Sequence, residues 1–170
     1  MEGVRLHFNL DWQWGFFLRD SGFVQQGTST QAGKSMLDTI WRISATEFDV
    51  KYFIHQFKIK DTSAIFLKGE IGWRGIVNKE SGVNVLVSEE LNSNENIEEI
   101  SEFIKNNSEA LKYLLSNNIS STMDIGCSVG TTDQYIKSVT APPDLLLLLN
   151  KYAISLQFSA YPATDDENET

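Results

Sequence analysis

Seven carboxylates crowd the stretch from Glu89 to Glu109, namely Glu89, Glu90, Glu95, Glu98, Glu99, Glu102 and Glu109, against the single Lys105. Such a run acts through its field rather than through bond chemistry, and it attracts a basic protein. The same residues also make up the solvated side of an amphipathic helix. The acidic face around Glu98, Glu99, Glu102 and Glu109 therefore has both a functional and a plain reading. Trp73, in the Gly-rich bend from Gly69 to Gly75, is the aromatic residue best placed to anchor a partner, while Trp12, Trp14 and Trp41 suit a core. Acid–base candidates are few. His7 and His55 each fall in an expected strand without a patterned Ser, Cys or carboxylate companion, and they lack the i, i+4 spacing of a zinc pair. Cys127 is the one cysteine, so neither an intramolecular disulfide nor a thiolate metal cluster can form.

The string Asp124-Ile-Gly-Cys-Ser-Val-Gly130 resembles the first motif of methyltransferases that use S-adenosylmethionine, in which a strand ends in an acidic residue and a Gly-rich turn admits the cofactor. The context departs from that family. Only residues 131 to 170 follow, too few for the further βα units of a doubly wound sheet, and Ser128 stands where the middle glycine belongs. The string is read as a strand end with permissive glycines and no cofactor. Asp124, Gly126, Ser128 and Gly130 remain the candidate residues of an alternative small-ligand or enzymatic site, which requires a pocket at that strand end. Gly27-Thr-Ser-Thr-Gln-Ala-Gly33-Lys34-Ser35 resembles a phosphate-binding P-loop, but five residues separate the glycines where the motif needs four. Fixed spacing matters there because successive backbone N–H groups cradle the phosphate.

The elements that must position these residues follow from periodicity. Val4, Leu6, Phe8 and Leu10 alternate as in a half-buried strand, and the glycines from Gly15 to Gly33 punctuate short segments. Met36 to Ile43 fits either strand or helix. Val50 to Lys60 and Ala64 to Ile71 are rich in aromatic and β-branched residues, which predicts an antiparallel hairpin turning at Asp61 to Ser63, followed by a strand over Val83 to Val87. Ile97, Ile100, Ile104, Leu111, Leu114 and Leu115 predict one helix from about Glu95 to Leu115, with Asn96 and Glu99 as a capping box. Strands are expected over Ser120 to Val129, over Tyr135 to Thr140 and from Ile154 to about Ala160. Between the last two, Pro142 and Pro143 open a helix whose Leu145 to Leu149 run, apolar all round, predicts deep burial. The expected fold is α+β: an antiparallel sheet with two helices on one face, a ferredoxin-like split βαβ in the second half, extended by an N-terminal β-meander. One domain over residues 1–163 and an acidic tail over 164–170 complete the expected organisation.

Lys and Arg number 14 against 23 Asp and Glu, a net charge of −9. That sign disfavours nucleic acid, whose phosphates it repels, and favours a basic protein. The sequence shows no signal-peptide pattern at Met1 to Phe8 and no run approaching ~18 apolar residues, so no membrane contact and a cytoplasmic setting are expected. Met123-Asp-Ile-Gly126, Pro142-Pro-Asp-Leu-Leu and Ile154-Ser-Leu-Gln-Phe-Ser-Ala-Tyr161-Pro resemble a group of small bacterial domains of unknown function, some of them found near toxin and immunity genes. The likeness covers about the last 80 residues. It implies a bacterial origin and a ferredoxin-like core, with no catalytic residues. The resulting expectation is a non-catalytic acidic protein-binding module, an immunity-type inhibitor of a basic toxin being one form of it.

Overall fold

The computed structural model describes residues 37–72, 75–90, 92–129 and 138–162, which fall in one compact unit. In chain order its elements are β1 (Leu37–Ala45), α1 (Val50–Phe57), β2 (Thr62–Phe66), β3 (Ser81–Glu90), α2 (Ser93–Asn106), α3 (Ser108–Ser116), β4 (Ser120–Val129), α4 (Pro143–Lys151) and β5 (Ser155–Pro162). The strands form one sheet in the order β2-β3-β1-β4-β5. The first three pairings across it are antiparallel, and β5 lies parallel to β4. The fold is thus α+β, but the expected antiparallel sheet is mixed. The parallel pair arises because β4 and β5 are joined through α4, and a helical crossover returns the chain to the same end of the sheet. The described part of the expected strand over Tyr135 to Thr140, Ser138 to Thr140, is not strand.

β1 is the central strand and its alternation decides the two faces. Leu37, Thr39, Trp41 and Ile43 are buried, while Asp38, Ile40, Arg42 and Ser44 are half-buried on the other side. Met123 and Val85 flank Trp41 in register and continue the apolar layer. Phe53 of α1 and Phe103 of α2 meet the indole edge-on, with centroids 6.1 and 5.3 Å away. The buried Trp41 Nε1 donates to Ser121 Oγ at 2.7 Å, so burial leaves no unpaired donor.

Several expectations are corrected. Val50 to Lys60 is not a strand of a hairpin but mostly helix α1, so the meander is interrupted, and β2 pairs instead with β3. Asp49 caps that helix by accepting from the Tyr52 N–H at 2.9 Å. Val50, Phe53, Ile54 and Phe57 lie at i, i+3, i+4 and i+7, and this helical spacing outweighs their β propensity. The long helix breaks in two at Asn107, whose side chain and backbone N–H both donate to the Phe103 carbonyl, at 2.9 and 3.0 Å. Asn106, Asn107 and Ser108 supply side chains that compete for backbone bonds. The break lets α2 pack on β1 and β3 while α3 meets α1. α4 begins at Pro143 as expected but is a surface helix: Leu145 and Leu149 are buried, whereas Leu146 and Leu147 are exposed. The expected strand over Val4 to Leu10, His7, Trp12, Trp14, the P-loop-like string and the acidic tail lie outside the described residues.

Candidate functional site

The acidic helix is held by a buried polar chain. Thr39 Oγ1 on β1 donates to Asn96 Oδ1 at 3.1 Å, and Asn96 Nδ2 donates to Ser88 Oγ on β3 at 3.0 Å. Asn96 is therefore an inward-facing residue of the second turn rather than the expected cap. The cap is Asn92, which accepts from the Asn94 N–H at 2.9 Å. With Asn96, Ile97, Ile100 and Ile104 turned to the sheet, Glu95, Glu98, Glu99 and Glu102 are left exposed.

α4 packs beside α2, and between them runs an open groove of about 970 Å³. Glu90, Glu95, Glu98, Glu99, Glu102 and Asp144 line it against two lysines, Lys105 and Lys151. Its apolar surface comes from Ile97, Pro142, Leu145, Leu147 and Leu148. Among the described residues none of these six carboxylates takes part in an ion pair. Glu90 shows what the crowding does: loss of hydration, and then the Glu99 and Glu95 carboxylates, raise its pKa above the ordinary value.

The sequence-expected docking glutamates are divided between α2 and α3. Glu98, Glu99 and Glu102 line the groove. Glu109 stands on α3, where it pairs with Lys112 at 2.6 Å. Trp73 lies outside the described residues. Between β2 and β3 the Gly69 N–H donates to the Asn78 carbonyl at 2.9 Å, and Ile71, Ile76 and Val77 are exposed. What sequence reasoning missed is the α4 wall: the Leu run reads as core until its neighbour is known.

The alternative site sits on the face of the sheet opposite Trp41. Asp124 and Gly126 are in the middle of β4, not at a strand end. Asp124, 2% exposed, accepts from Arg42 Nε and Nη2 at 2.9 and 2.7 Å through one oxygen and from Ser159 Oγ at 2.7 Å through the other. Both oxygens are thus engaged within the fold. A side chain at Gly126 would collide with Asp38 and press on Tyr161, so that glycine serves close packing. Ser128 contributes backbone to β4, while its side chain and Gly130 lie outside the described residues. His55 is exposed on α1, and no cluster of three or more potential metal ligands occurs among the described residues. Among them, too, no helix is long and apolar enough to cross a membrane. Comparison with known proteins returns no matching family, no similar curated protein and no similar solved structure.

Proposed function

We propose that this protein is a non-catalytic binding module that docks a basic protein partner in the groove between α2 and α4. The observation that carries this reading is the groove's composition: six carboxylates without an ion pair among the described residues, around an apolar floor, opposed by two lysines. Unpaired like charges repel one another, and a partner that neutralises them gains both attraction and relief of that repulsion. An inhibitor that masks a basic toxin is the narrower form of the same reading. The ferredoxin-like unit expected in the second half is better placed over β1 to β4, with β5 added, a reading supported by the β2-β3-β1-β4 order with antiparallel neighbours.

The test is retention of a partner from host extract on the tagged protein, compared with a variant carrying Glu95→Lys, Glu98→Lys, Glu99→Lys and Glu102→Lys. A basic protein released from the parent as salt rises, and not retained by the variant, is the expected outcome. A partner held equally by both sinks the reading.

A further inference from the structure

We propose that the segment received by this groove is an amphipathic cationic α-helix, lying along α2 and α4 with its apolar side inward. The inference rests on the reading of the groove as a docking site for a basic partner. Glu95, Glu98, Glu99 and Glu102 stand at i, i+3, i+4 and i+7 of α2 and form a stripe about 10 Å long at the helical rise. A partner helix has the same rise, so Lys or Arg at its own i, i+3 or i+4, and i+7 meets those carboxylates in step. An extended segment places same-side residues about 7 Å apart and falls out of step within two cations.

The opposite wall selects for an apolar side as well as for charge. Leu147 on α4 is 66% exposed, and it stands with the half-buried Leu148 beside buried Leu145 and Ile97 in the same groove. A uniformly cationic chain would leave this strip in water, whereas the apolar face of an amphipathic helix covers it. The volume is of the right scale: a cylinder ~10 Å wide and two helical turns long occupies roughly 850 Å³, against about 970 Å³ in the groove.

Three synthetic probes decide the matter: a peptide of about fifteen residues with Lys at i, i+3, i+4 and i+7 and Leu on its other side, its scrambled isomer, and oligolysine of equal length. Binding is read by fluorescence anisotropy and helix content by circular dichroism. The amphipathic peptide is expected to bind at least about tenfold more tightly than its isomer and to become helical on the protein. Leu147→Gln, at an exposed position, should weaken that peptide by roughly fivefold and leave oligolysine unchanged. An isomer that binds as tightly, or a peptide that binds without gaining helix, overturns the helical occupant while leaving a basic docking site in place. Should both peptide and oligolysine bind unchanged to the variant carrying Glu95→Lys, Glu98→Lys, Glu99→Lys and Glu102→Lys, shown folded by its spectrum, the docking reading falls as well.

Discussion

Carboxylates occupy both the α2–α4 groove and the face of the sheet opposite Trp41, and the two regions use them in opposite ways. Asp124 is buried against Arg42 and Ser159, with each of its oxygens bonded. Glu95, Glu98, Glu99 and Glu102 are exposed and unpaired among the described residues. A saturated carboxylate holds a fold together because removing one partner strands a buried charge. An unsaturated, hydrated one adds little to stability and keeps its attraction for something outside the chain. Availability, not residue type, separates structure from candidate function here.

The comparison breaks most visibly at Asp124. Asp124→Ala leaves Arg42 without its counter-charge in a partly buried position, and we expect a loss of roughly 3 kcal/mol in urea unfolding, with binding of a basic partner unchanged in whatever remains folded. A loss within ~0.5 kcal/mol would mean that the pair is not structural. Next in size is the contrast along α4. Leu145→Ala should cost about 3 kcal/mol from a fully buried site, while Leu147→Ala should stay within ~0.5 kcal/mol. Equal losses would contradict the surface placement of this helix, and with it the groove.

Charge reversal at Glu98, Glu99 and Glu102 is expected to change the melting temperature by no more than a few degrees while lowering affinity for a basic probe about tenfold or more at low salt. A large drop in stability would move these residues to the structural side of the comparison. The smallest effect is at Glu90, whose raised pKa makes the folded state bind a proton more readily than the unfolded chain. Its contribution is present at acid pH and lost as pH rises through the folded value, above the ordinary carboxylate range. Glu90→Gln should therefore raise the melting temperature slightly at neutral pH, and that gain should shrink on acidification. Glu47 runs the other way, because Lys68 lowers its pKa by hydrogen bond and charge. Its small stabilisation holds above the ordinary carboxylate value and fades as pH falls through the lowered one.

Much of this arrangement was legible along the chain. The strand over Val83 to Val87, the strand over Ser120 to Val129 and the helical series Ile97, Ile100, Ile104 all appear where periodicity puts them. So does the helix opened by Pro143 and the last strand. α1 was misread because Tyr52, Phe53 and Ile54 raise β propensity, although Val50, Phe53, Ile54 and Phe57 carried helical spacing and Asp49 supplied a cap. Half of the groove, the five glutamates of its six carboxylates, could be named from sequence. The other half could not, because a run of five leucines has no preferred side until a neighbour covers one.

The amino-acid sequence by itself determined the negative charge, the lack of an intramolecular disulfide and which helical side of α2 is apolar, since these depend on composition and on contacts within a few residues. Only the tertiary structure decided that Arg42 would neutralise Asp124, that β5 would join β4 in parallel, and that Leu147 would be left exposed beside the acidic stripe. Each of those depends on elements far apart in the chain, and a periodic pattern records which face an element buries but not which partner buries it.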